Sequence, residues 1–105
     1  MRRCEVWWAD LPPPAGRRPV VLLSRDEAYI VRAQVTVAPV TTNCRDIPVE
    51  VDLGPEDGLP KRCVVNLDSA VTIPKSHLEQ CIALLRPKKI KQIDAALRFA
   101  LGLSE

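Results

Sequence analysis

The side chains best suited to proton transfer, metal binding or thiol chemistry are few in this chain of 105 residues: one histidine, His77, and four cysteines, Cys4, Cys44, Cys63 and Cys81. The cysteines form no Cys-x-x-Cys pair and have no neighbouring histidine, so no zinc-like spacing exists, and neither a metal nor any other cofactor is expected. The arginines offer more. Seven lie between Met1 and Arg45, against Glu5, Asp10, Asp26 and Glu27, whereas six acids between Asp46 and Asp68 face only Lys61 and Arg62. A net charge of +2 and a pI of 8.4 fall short of a domain-wide nucleic-acid footprint, which usually needs a pI above about 9. A local basic patch is still possible, and guanidinium forks suit phosphate oxygens. His77, with a reference pKa near neutrality, is the natural acid–base candidate. It lies in the turn-like stretch Pro74-Lys75-Ser76-His77-Leu78, where a surface histidine is expected.

The elements that must position these groups are mostly short strands. Glu5 to Leu11 is aromatic and alternating, and it stops at Pro12-Pro13-Pro14-Ala15-Gly16. Arg18 to Ser24 is almost wholly apolar after Pro19, the pattern of a strand buried on both faces. Residues 25 to 32 are polar and mixed, a short helix or an excursion, before the β-branched run from Ala33 to Val40 that ends at Thr41-Thr42-Asn43. Val49 to Leu53 alternates strictly, which predicts a half-buried strand with its acids in water. Cys63 to Leu67, Ala70 to Ile73 and Leu78 to Leu85 read as further strands. Pro87 suits a helix start, and Ile90, Ile93, Leu97 and Leu101 recur at helical spacing, leaving Lys88, Lys89, Lys91 and Arg98 on the surface.

The expected architecture is mainly β (α+β), a small barrel of short strands capped by a C-terminal helix of roughly four turns, with residues 1–105 forming a single domain. No apolar signal segment follows Met-Arg-Arg-Cys-Glu, and no apolar run is long enough to span a bilayer. A reduced, cytoplasmic protein with no membrane partner is therefore expected, its cysteines packed as small core hydrophobes.

The order of the blocks is more specific than any one of them: Glu-Val-Trp-Trp, a Pro/Gly loop, Gly-Arg-Arg-Pro-Val-Val-Leu-Leu-Ser, Val-Ala-Pro-Val-Thr-Thr, then Asp-Gly-Leu-Pro-Lys-Arg-Cys-Val-Val-Asn-Leu-Asp. Along almost its whole length, from Arg2 to the C-terminal helix, the chain resembles the MazF/PemK (Kid) toxins. That resemblance implies an SH3-like barrel with a C-terminal helix, the CcdB/PemK-like plasmid maintenance toxin fold. It also implies a homodimer that cuts single-stranded RNA at short motifs without a metal, and a cognate MazE-like antitoxin whose acidic C-terminal segment lies in the RNA groove. The family's catalytic arginine and threonine fall on Arg18 and Thr41. Two positions depart from the family pattern: Cys4 stands where glycine is usual, and Ser69 stands where Asn or Gln is usual. The first bears on backbone freedom. The second bears on base preference or activity, because a hydroxyl offers a base edge less than an amide does.

RNA carries its own nucleophile, the ribose 2′-hydroxyl, so an enzyme that aligns it and stabilises the developing charge leaves a 2′,3′-cyclic phosphate and a 5′-hydroxyl. Arg18 would hold the non-bridging oxygens, with help that grows as charge develops, and Thr41 would position the phosphate or 2′-oxygen. Neither is a good general base unassisted. RNA contacts are expected from Arg17, Thr42, Asp68, Ser69, Arg45 and Arg25, and ordinary surface charge from Lys61 and Arg62. Trp7 and Trp8 alternate across a strand, so at most one can stack on RNA. Three other readings are compatible with the sequence. One is a catalytically weak or inactive relative, one a gyrase-directed protein poison of the same fold, and one an SH3-like peptide binder, for which aromatics at 4% are poor supply.

Overall fold

The computed structural model describes residues 1–103. Strand β1 (Glu5–Asp10) runs into the proline loop, and β2 (Arg17–Leu22) returns antiparallel, with Trp8 opposite Pro19 and Ala9 opposite Arg18. On β2, Val20 and Leu22 enter one core cluster and Val21 the other. Burial of both faces is the physical reason the strand reads as an unbroken apolar run. The excursion that follows contains a one-turn helix, α1 (Ala28–Val31), whose buried Tyr29 donates its hydroxyl proton to the Ser24 carbonyl at 2.9 Å.

Strand β3 (Gln34–Thr41) organises the rest: β4 (Glu50–Leu53), β5 (Cys63–Asn66), β6 (Val71–Pro74) and β7 (Leu78–Leu84), followed by α2 (Pro87–Leu101). It pairs β2 through Val37, Ala38 and Pro39, β6 through Gln34 to Val37, and β5 through Val40 and Thr41. Pro39, which has no N–H to donate, sits between the β6 and β5 stretches. The strand order is β4-β5-β3-β2-β1-β7, with β6 on β3. The strands do not close by hydrogen bonds, since β4 and β7 end the series, so the expected closed barrel is a half-open, barrel-like sheet. Register shifts in β1 against β7, at Val6/Trp7 and Trp8/Ala9, are of the kind that increases coiling.

Two apolar clusters lie on the two faces. One joins Val6, Val21, Val40, Val51 and Val65 to Ile93 and Ala96 of α2; the other joins Ala9, Val20, Leu22, Val35, Val37 and Ile73. Helix α2 starts at Pro87 and ends at Gly102, whose left-handed φ of 69° lets its N–H reach back to Arg98 and Phe99 carbonyls. Ile93 is buried as its spacing predicts, but Leu101 is 62% exposed. Among the described residues no helix is long and apolar enough to cross a membrane.

Four sequence expectations change in three dimensions. Glu50 does not face water: its side chain is 2% exposed, folded back onto the loop after β3. Lys89 is half-buried rather than a free surface charge, with Nζ 3.8 Å from Asp57. Cys81 is exposed and Cys44 partly so, leaving only Cys4 and Cys63 as core residues, where burial pushes both thiols up. Cys4 also adopts φ 68°, a left-handed conformation that explains why glycine suits this place.

Candidate active site

The start of β2, the end of β3, the start of β5 and the turn Leu67–Ser69 gather at one end of the sheet. The last paired residues of β2 and β3 are Val20 and Pro39; Arg18 lies two residues before Val20 on β2, and Thr41 two residues after Pro39, where β3 has passed to β5 and faces Val64. The two side chains line different, neighbouring depressions, Arg18 with Leu11 and Val71 on the side of one apolar cluster and Thr41 with Leu59 and Cys63 on the side of the other.

Arg18 is partly buried in a groove lined by Leu11, Ala15, Pro39, Ser69 and Val71. Its Nε donates to the Ala15 carbonyl at 2.9 Å. That bond orients the guanidinium and leaves both Nη groups free for another acceptor. The contrast with other arginines is informative. Arg3 pairs with Asp94, Arg17 with Glu79, Arg45 with Glu50 and Arg62 with Asp52; Arg2, Arg18, Arg25, Arg32 and Arg98 make no ion pair among the described residues, and of these five Arg18 alone is partly buried. A partly desolvated cation held by a neutral carbonyl is electrostatically incomplete, and an anion entering the groove would complete it.

Thr41 lines a neighbouring cleft of about 160 Å³ with Trp8, Pro19, Thr42, Pro60 and Lys61. Its hydroxyl oxygen accepts the Asn43 N–H at 3.1 Å, an ST-type turn that starts the loop after β3. Glu50 holds that loop by accepting from the Arg45 N–H at 2.9 Å, the Asp46 N–H at 3.1 Å and Arg45 Nε at 3.2 Å. Burial of the Glu50 carboxyl works to raise its pKa, but these donors together outweigh it and hold the group below the usual carboxylate range.

The remaining candidates divide. Ser69 lines the Arg18 groove, so the departure at this position falls on the site itself. Asp68 sits on the same turn, its N–H capped by the Asn66 side chain at 2.9 Å, and is exposed. Thr42 lines the Thr41 cleft. Arg17 is tied to Glu79 at 2.7 Å and stacks over Trp8, 4.4 Å from the ring centre, so it is less free than an exposed loop charge. Arg45 serves the loop through Glu50. The structure does not bring Arg25 to the others: it follows the far end of β2, beyond Leu22, while Arg18 is near the strand's start. His77 is exposed and lines neither groove. Trp8 faces the cleft while Trp7 packs on the core and donates Nε1 to Glu5 at 2.9 Å. Sequence reasoning missed the Ala15 carbonyl and Glu79, which carry no motif, and undervalued Lys61. Only the pairing of β3 with β5 places Lys61 beside Thr41. Among the described residues no group of three or more His, Cys, Asp or Glu side chains gathers as a metal site would require.

A half-open SH3-like barrel with a C-terminal helix, and with two clefts flanking the ends of its central strands, defines the barrel-toxin class of fold. The chain belongs to the family described as PemK-like, MazF-like toxin of type II toxin–antitoxin system, which matches residues 2–101. A Mycobacterium tuberculosis protein named probable endoribonuclease MazF5 is 40% identical over 103 residues, covering 97% of this chain and 94% of that protein. The structure of Mycobacterium tuberculosis toxin MazF-mt6 superposes with a TM-score of 0.89 at 31% identity, covering 96% of this chain and 99% of the other. An endoribonuclease in complex with its cognate antitoxin, from a mycobacterial species, gives 0.88 at 31% identity, covering 100% and 98%.

Proposed function

We propose that this chain is the toxin of a type II toxin–antitoxin pair, an endoribonuclease that cuts single-stranded RNA in sequence-specific fashion without a metal. The observation that carries this reading is Arg18, partly buried, without an ion pair among the described residues and oriented by the Ala15 carbonyl in an open groove that neighbours the cleft of Thr41. The 2′-oxygen attacks phosphorus and gives up its proton, the P–O5′ bond breaks and O5′ takes up a proton, leaving a 2′,3′-cyclic phosphate and a 5′-hydroxyl with no net proton consumed. Arg18 gives its Nη hydrogens to the non-bridging oxygens as their charge rises, and Thr41 positions the phosphate or the 2′-oxygen. Ser69 and Thr42 contact the flanking nucleotides, with Asp68, Arg17 and Arg45 at the margins.

The working unit is a homodimer of one-domain subunits, 1–105, acting in the cytoplasm and silenced by a MazE-like antitoxin with an acidic C-terminal segment. An acidic chain would satisfy Arg18 as a phosphate does. The test is incubation of the purified chain with a long RNA in EDTA and mapping of the fragment ends. Cuts at one recurring short motif, absent with a folded Arg18→Ala protein, support the reading; cutting by Arg18→Ala at the wild-type rate overturns the assignment of that residue.

A further inference from the structure

We propose that the cleft beside Thr41 is a subsite for one unpaired nucleobase of the RNA, and that Glu79 is a positioning residue that holds its Trp8 wall in place through Arg17. This rests on the function proposed above and names where part of its sequence preference arises.

The cleft and the Arg18 groove lie on either side of the paired ends of β2 and β3, so an RNA strand whose phosphate lies at Arg18 and Thr41 must place a neighbouring base close to the cleft. Its volume of about 160 Å³ is on the scale of a cavity that takes one aromatic ring, roughly 150 Å³. The walls are mainly carbon, from Trp8, Pro19, Val40, Leu59 and Pro60, which suits the face of a base; the residues at its rim that carry polar groups include Thr41, Thr42 and Lys61. Lys61 makes no ion pair among the described residues and is exposed at this mouth, placed to meet the phosphate attached to the seated base. An amine and two hydroxyls can also donate to base-edge oxygens or nitrogens, which gives the cleft the means to discriminate.

Trp8 has a built support. The Arg17 guanidinium, which does not line the cleft, lies 4.4 Å from the ring centre, and Glu79 Oε1 accepts from Arg17 Nε at 2.7 Å. Glu79 is on β7 and Arg17 on β2, so the pair bridges across β1 and locks the tryptophan between them. Stacking on a ring that is already fixed forfeits less rotamer freedom than stacking on a loose one.

The test compares wild type with Trp8→Leu, Lys61→Met and Glu79→Gln, the last two at exposed positions where folding is not at risk. Cut ends are mapped on the same long RNA, and binding is measured on a 2′-O-methyl oligonucleotide of the cut sequence with each base removed in turn. The expected result is that wild type loses on the order of tenfold in affinity when one particular base is absent, whereas Trp8→Leu and Lys61→Met lose little more, their preference at that motif position being already relaxed. Glu79→Gln raises KM by roughly two- to fivefold with kcat unchanged, the effect of an exposed ion pair acting through position alone. Equal sensitivity to that base in all proteins overturns the subsite while leaving the nuclease intact. If wild type cuts no RNA, the function proposed above fails. The subsite then stands only if a mixed-sequence 2′-O-methyl octamer binds and Trp8→Leu weakens it about tenfold; otherwise it falls too.

Discussion

Arg18 Nε donates to the Ala15 carbonyl oxygen at 2.9 Å, and this bond decides which part of the guanidinium faces the groove. The two Nη groups are presented as a fork, so Arg18→Lys keeps the charge but loses the paired geometry. Single-turnover cleavage should fall by about 100-fold or more in both Arg18→Lys and Arg18→Ala, the scale of losing a transition-state donor, with thermal stability nearly unchanged. A lysine protein retaining more than a tenth of the rate would refute the fork argument.

Thr41 has a double task, since its hydroxyl oxygen also accepts the Asn43 N–H at 3.1 Å. Thr41→Ser should keep most activity, because the hydroxyl stays on the same strand end. Thr41→Val removes it without changing shape, and should cost about 10- to 100-fold in rate together with about 1 kcal/mol of stability from the loop bond. Rates and urea midpoints measured on the same preparations separate the two effects.

Glu50 links loop order to pH. Its folded pKa lies below its unfolded one, near 4.3, so between the two values the unfolded chain binds more protons and stability rises with pH. The contribution is complete above the unfolded pKa and is lost as pH falls through the folded one. Urea unfolding from pH 6 down to pH 3 should show a steeper loss for wild type than for Glu50→Gln, which itself costs about 1–2 kcal/mol at neutral pH through weakened bonds to Arg45 and Asp46. Parallel curves would show that the carboxyl does not hold the loop.

Cys4 is wholly buried at φ 68°. Cys4→Ala keeps the left-handed penalty, about 1 kcal/mol, and loses the sulfur's packing, whereas Cys4→Gly loses packing but releases the backbone. Chemical denaturation should therefore rank the glycine protein at least as stable as the alanine one. The reverse order would mean that the backbone here carries no strain.

Most strands and the C-terminal helix were legible in the sequence because local burial patterns are periodic: Val20 to Leu22 unbroken for two buried faces, Ile90 and Ile93 at helical spacing for one. The resemblance carried by the ordered blocks also singled out Arg18 and Thr41. Pattern failed where a side chain's environment is set from another strand. Glu50 looks like a solvent-facing residue in an alternating run, and only its approach to the Arg45 and Asp46 amides turns it inward.

What the residues determined alone is the set of elements and the family; what the tertiary structure decided is which charges remain available. Arg17 and Arg18 are neighbours of one type, yet Glu79 reaches the first across β1 and no carboxylate among the described residues reaches the second. Ion pairing depends on through-space distance between side chains far apart in sequence, 62 residues for Arg17 and Glu79, and no local pattern encodes it. The same holds for Lys61 and Thr41, brought to one cleft by the pairing of β3 with β5.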